Sequence, residues 1–184
     1  SASGERLWSY KTGGLVWAVA WSPDGSRLAA GGDDNLIYIF SAGGEHLWSY
    51  KTGGPVLAIA WSPDGSRLAA SSGDGRVYVF SASGERLWSY KTGGLVWAVA
   101  WSPDGFNLAA GSGDGRVYVF SASGERLWSY KTDSPILSVA WSPDGSRLAA
   151  SSENKIIYVF GSLAIVRAIL RKKLYRMKIL LNLI

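Results

Sequence analysis

Cysteine is absent from the 184 residues, and histidine and methionine occur once each. Without a thiol there is no disulfide framework, no thiolate nucleophile and no cysteine-based zinc site, and redox compartment leaves no mark on the chain. The lone imidazole, His46, rules out a histidine metal cluster and most acid–base schemes. No hydrophobic leader follows Ser1, so the cytoplasm is the default expectation and no residue ties the chain to another compartment. A start at Ser1 also points to a trimmed or engineered chain.

Charged residues make up only 18% of the chain, yet the net charge is +5. That charge is unevenly placed. Residues 1–160 carry 13 Lys and Arg against all 14 Asp and Glu, while Arg167, Arg171, Lys172, Lys173, Arg176 and Lys178 put six cations on the last 24 residues. The body is therefore not basic, and nucleic acid is excluded as its partner.

Glycine (23) and tryptophan (10) are abundant, and their placement is periodic. The phrase SPDGSRLAA stands at 22–30, 62–70 and 142–150, with SPDGFNLAA at 102–110. Four units follow, 1–40, 41–80, 81–120 and 121–160, at a spacing expected of blade-type repeats. A second period lies over the first: LVWAVAW marks units one and three, whereas PVLAIAW and PILSVAW mark units two and four, as if a pair of units had been duplicated.

Each unit holds four runs of strand character, in the third unit 86–91, 95–101, 107–111 and 116–120. Alternation sets Val117 and Val119 on one face and Tyr118 and Phe120 on the other. Pro103-Asp104-Gly105 and Gly113-Asp114-Gly115 supply the turns. A four-stranded antiparallel meander of this size cannot cover both its faces, so it stacks on others of its kind, and radial stacking makes a β-propeller.

The pattern VAWSPDGSRLAAGSGDGRVYVF resembles the WD-repeat propellers, over the whole of 1–160. That resemblance implies partner binding at the top of the ring and its central channel, where Trp17, Leu57, Trp97 and Leu137 occupy one position of the innermost strand. Packing between blades is the alternative role for these four. The family's Gly-His and Trp-Asp pairs are missing here, replaced by Thr12-Gly13-Gly14 and Phe40-Ser41. An Asp of its hydrogen-bond network persists as Asp34, Asp74 and Asp114, with Asn154 in the fourth unit. The network is accordingly expected to be absent, with aromatic packing in its place.

Against the usual blade of that family, the chain begins at the outermost strand (6–11) and ends at the third strand of its last unit. Half a ring would expose an apolar face at each end. The expected assembly is an eight-bladed, two-fold homodimer in which the strand at 6–11 of one chain completes 135–160 of the other; a closed four-bladed monomer is the alternative.

Beyond Phe160 the repeat stops. Leu163, Val166, Leu170, Leu174, Met177, Leu181 and Ile184 form one stripe of a helical wheel, and Arg167, Arg171 and Lys178 lie beside it. The expectation is a basic amphipathic helix that packs on a protein surface, attaches to an anionic membrane, or has no selected role, Gly161-Ser162 resembling a cloning joint. The cation content argues against a membrane span.

No catalytic constellation emerges. His46 stands where other units have Arg6, Arg86 and Arg126 and reads as a surface variant. The Asp residues of PDG and GDG cap their own turns, and GGDDN (31–35) lacks the ligands of a calcium loop. The residues thus describe an all-β, noncatalytic repeat scaffold without a cofactor, with protein, peptide or a second copy as partner. A peripheral membrane module anchored by the tail is the alternative.

Overall fold

The computed structural model describes residues 4–161. Strand formation follows the β-branched and aromatic runs, and chain reversal follows the Asp-Gly turns. Among the described residues there are strands and turns but no helix.

Four antiparallel sheets are formed, each a meander in chain order. The first holds β1 (Val16–Trp21), β2 (Arg27–Gly32), β3 (Leu36–Ser41) and β4 (His46–Lys51). The second repeats this with β5 (Val56–Trp61), β6 (Arg67–Ser72), β7 (Arg76–Ser81) and β8 (Arg86–Lys91), and the third with β9 (Val96–Trp101), β10 (Asn107–Ser112), β11 (Arg116–Ser121) and β12 (Arg126–Lys131). The fourth has three strands, β13 (Ile136–Trp141), β14 (Arg147–Ser152) and β15 (Ile157–Gly161). The first three blades thus take their outer strands from the following sequence repeat, and the fourth has three strands among the described residues. Residues 6–11, expected as a strand, are extended chain without a paired ladder in this structure.

Blades pack face to face through the two sides of the third strand. Val117 and Val119 join a core cluster with the fourth blade (Ile136, Val139, Leu148), whereas Tyr118 and Phe120 join one with the second (Val77, Val79). The period-two pattern therefore makes every internal blade a two-faced wedge. Val77, Val79, Leu108 and Phe120 are fully buried, and each such side chain contributes roughly 1.5–3 kcal/mol by leaving water. Equivalent contacts join the first and second blades through Ile37, Ile39, Val56 and Trp61.

Aromatic ladders knit the outer strands onto the next blade. Trp48 lies 5.8 Å from Phe80 and Tyr50 lies 4.8 Å from the same ring, and Trp88 and Tyr90 repeat the arrangement on Phe120 at 5.6 and 4.9 Å. Trp48 Nε1 and Trp88 Nε1 donate to the carbonyls of Ala82 and Ala122. Close approach of these indoles needs glycine: a Cβ on Gly84, whose φ is +96°, would lie 2.9 Å from the Trp48 ring.

Candidate functional site

The innermost strands share an irregularity that the sequence pattern does not reveal. Pairing runs from Val16–Gly32 directly to Ala18–Gly31, from Val56–Ser72 to Ala58–Ser71, from Val96–Ser112 to Ala98–Gly111, and from Ile136–Ser152 to Ser138–Ser151. Trp17, Leu57, Trp97 and Leu137 are the residues skipped, so each stands at a β-bulge, a device that re-aims a side chain out of the ladder. The structure brings all four sequence-predicted residues to equivalent places at the same end of the innermost strands. Trp17 is 56% exposed, Trp97 38% and Leu137 43%, with Leu57 half-buried. Leu15 and Leu95 are exposed two residues earlier. The outcome is a row that alternates tryptophan and leucine from blade to blade.

The two tryptophans are held differently. Trp17 Nε1 donates to Asp33 Oδ1 at 2.5 Å. In the third unit Gly113 takes the place of Asp33, and a Cβ there would lie 3.5 Å from Trp97 Nε1.

At the same end, the turn aspartates organise a hydrogen-bond network of their own. Asp74 Oδ2 accepts from the Gly53 amide at 3.0 Å and from the Tyr78 hydroxyl at 2.5 Å, while its Oδ1 accepts from the Arg76 amide. Asp34 does the same with Gly13, Tyr38 and Leu36, and Asp114 with Gly93, Tyr118 and Arg116. The bonding differs from the His-Ser-Asp-Trp network of the WD family: here a glycine amide and a tyrosine hydroxyl donate to the carboxylate. Desolvation and the bond to the carboxylate push Tyr38 and Tyr78 up to about 12, and Tyr118 higher still. In the fourth unit Asn154 Oδ1 accepts from Ser152 Oγ instead.

At the opposite end, Asp24, Asp64 and Asp144 close the SPDG turns. Hydrogen bonds from the neighbouring serines hold each carboxyl well below the usual range, at about 2. In the third unit Phe106 stands at the second of those serine positions and is 71% exposed, lining an open groove of about 700 Å³ with Pro63, Arg67 and Asp104. Its departure from SPDGS was the one signal in the sequence. These aspartates are structural, and among the described residues no cluster of three or more His, Asp or Glu is placed to hold a metal ion.

His46 occupies the place of Arg86 and Arg126. Those arginines donate to the Tyr50 and Tyr90 hydroxyls of the preceding outer strand, at 2.8 and 2.9 Å. His46 stacks on Tyr10 with centroids 6.2 Å apart, as a variant of the same contact.

Exposed apolar side chains stand on the outward faces of the first and last blades. Val16, Val19 and Trp21 of the first blade are 48, 65 and 54% exposed, against 0, 8 and 8% for Val96, Val99 and Trp101 of the third. On the last blade, Ile157 and Val159 are 75 and 62% exposed, where Val77 and Val79 are fully buried. No core cluster joins first and last blades among the described residues. The tail cations Arg167, Arg171, Lys172, Lys173, Arg176 and Lys178, and the helix expected there, lie outside the described residues. No helix among the described residues is long and apolar enough to cross a membrane.

Comparison with known families finds one whose model, described as outer membrane protein assembly factor BamB, matches residues 1–161. No curated protein sequence matches the chain. The match supports a propeller-type repeat without supporting the WD repeat in particular.

Proposed function

The chain belongs to the family described as outer membrane protein assembly factor BamB, and on that premise we propose that it is a noncatalytic propeller scaffold that assembles into a closed ring. The ring has eight blades from two copies, and the strand at 6–11 of each copy completes the blade at 135–160 of the other. Its collar of Trp17, Leu57, Trp97 and Leu137 then offers a protein or peptide partner an apolar, partly aromatic surface around the channel, the residue types that anchor interfaces.

One observation carries this reading. Residues 6–11 lie against the first blade as the outer strand of a preceding blade would. Trp8 Nε1 donates to Ala42 O at 3.1 Å, as Trp48 does to Ala82 and Trp88 to Ala122. Tyr10 lies 4.8 Å from Phe40, as Tyr50 does from Phe80. A Cβ on Gly44 would meet the Trp8 ring at 2.8 Å, as one on Gly84 meets Trp48. Among the described residues the fourth sheet meanwhile has no outer strand. An unpaired ladder edge invites such a strand. The family description, an assembly factor, fits a role in binding without chemistry.

Light scattering on the full chain at several concentrations tests the assembly. Twice the chain mass at every concentration is expected, and a monomer throughout would mean that four blades close alone.

The six cations of the tail favour a second reading, a peripheral membrane module in which a basic amphipathic helix anchors the propeller. Co-sedimentation with anionic vesicles decides it: binding unchanged by removal of 161–184 overturns that reading.

A further inference from the structure

The repeat structure contains three blade-to-blade interfaces, and it specifies the chemistry of a fourth. Because odd and even units alternate, the trailing face of blade four and the leading face of blade one form the same kind of pair as blades two and three. In that internal pair, Ala69, Val77 and Val79 pack with Val96, Val99, Trp101, Leu108, Ala110, Tyr118 and Phe120. Shifted by two repeats, the trailing set becomes Ala149, Ile157 and Val159. The leading set becomes Val16, Val19, Trp21, Leu28, Ala30, Tyr38 and Phe40. Ala30, Tyr38 and Phe40 are covered within the chain by Trp8 and its neighbours, but Val16, Val19, Trp21, Ile157 and Val159, whose counterparts are buried in the internal pair, are exposed.

From this we infer that the trailing face of blade four binds the leading end of a second copy of this chain in a defined register. The inference rests on the proposed scaffold and specifies its junction. Ladder pairing follows β3 and β4, where Leu36 faces Lys51, Ile37 faces Tyr50, Tyr38 faces Ser49 and Ile39 faces Trp48. At the junction Ile156 faces Lys11, Ile157 faces Tyr10, Tyr158 faces Ser9 and Val159 faces Trp8 of the second copy.

Polar groups at both ends match as well. Trp61, Trp101 and Trp141 donate through Nε1 to Ala20, Ala60 and Ala100 of the preceding blade at 3.1–3.2 Å. Trp21 makes no such bond among the described residues, and the corresponding acceptor is Ala140 O of the other copy. A hollow of about 180 Å³ lies on that exposed face, lined by Ser138, Ala140, Ala149 and Ile157; the equivalent place in blade two packs against Val99 and Trp101. Arg27 and Arg67 reach forward to the carbonyls of Ala82 and Ala122. Arg147 has its counterpart acceptor in Ala42 O of the second copy. Arg6 finds Tyr130 as Arg86 finds Tyr50.

The absence of cysteine makes cross-linking a clean test. Lys11→Cys and Ile156→Cys are made in separate full-length chains, mixed at equal amounts and oxidised, and masses are read on a non-reducing gel. The in-chain pair Leu36→Cys with Lys51→Cys serves as the positive control, since those residues face each other in one sheet. A reducible species of twice the chain mass in the mixture, but not in either variant alone, is the expected result. No cross-link in the mixture while the control closes overturns the inference. So does an internal cross-link in the double variant at monomer mass, which would show that the chain's own ends meet. Failure of the eight-bladed ring is separable: in the double variant, which carries both Lys11→Cys and Ile156→Cys, a cross-linked ladder of three or more chains would keep the junction and refute closure by two.

Discussion

Tyr78 and Tyr158 occupy the same place in successive even blades, yet only Tyr78 has a carboxylate to donate to. Replacing Tyr78 by Phe leaves a half-buried Asp74 without one of its donors, and a loss of about 1–2 kcal/mol is expected. Tyr158→Phe, with Asn154 engaged by Ser152, should change stability by less than about 0.5 kcal/mol. Urea unfolding midpoints of the two variants test the contrast. The same bonds predict a response to alkali. Tyr38 and Tyr78 titrate near 12 in the folded chain against an ordinary 10. The folded state therefore holds these protons more tightly than the unfolded one. Their contribution is complete below pH 10 and is lost as pH rises from about 10 to 12. Melting temperature should fall over that window, and less steeply in Tyr78→Phe.

At the level of elements, the turn between the second and third strands distinguishes the fourth unit from its siblings. Gly75 and Gly115 hold φ near +80 and +75°, and Lys155 holds +68° with a side chain that the left-handed region disfavours. Lys155→Gly removes a backbone cost of about 1 kcal/mol and should raise the melting temperature, provided the turn keeps its conformation. Asn154 and Asp133 also change together. Where units one to three pair a glycine amide with Asp34, Asp74 or Asp114, unit four has Asp133 at the glycine position and Asn154 at the aspartate position. A carboxylate at both places would bring like charges together, which accounts physically for the neutral residue.

Whole-molecule behaviour turns on two residues of one kind. Val99 is 8% exposed between the second and third blades and Val19 is 65% exposed at the open end. Val99→Asp buries an unpaired charge inside the chain and should unfold it. Val19→Asp should leave the circular dichroism spectrum of the isolated chain intact and shift solution mass from dimer to monomer. Loss of fold in both, or of neither fold nor mass in the second, would contradict the assignment of Val19 to an interface between copies.

Much of this was legible before any coordinates, because a repeated sequence with a period of two carries its strands, turns and two-faced blades locally. Val117 and Val119 were assigned to one side and Tyr118 and Phe120 to the other from alternation alone, and the cores divide along that line. The resemblance to WD-repeat blades also implied that outer strands lead each repeat, and the fourth sheet has three strands among the described residues. Tertiary structure alone decided what depends on contacts between distant residues. The bulges at Trp17, Leu57, Trp97 and Leu137 arise from register between strands, which alternation cannot report because every residue still looks in phase. The aspartate network needs a glycine amide 21 residues away, as Gly53 is from Asp74. Exposure of Val19 and Ile157, identical in kind to buried residues elsewhere, follows only from where the array of blades stops. A residue's chemistry is written in the chain; whether a neighbour covers it is a property of the assembled fold.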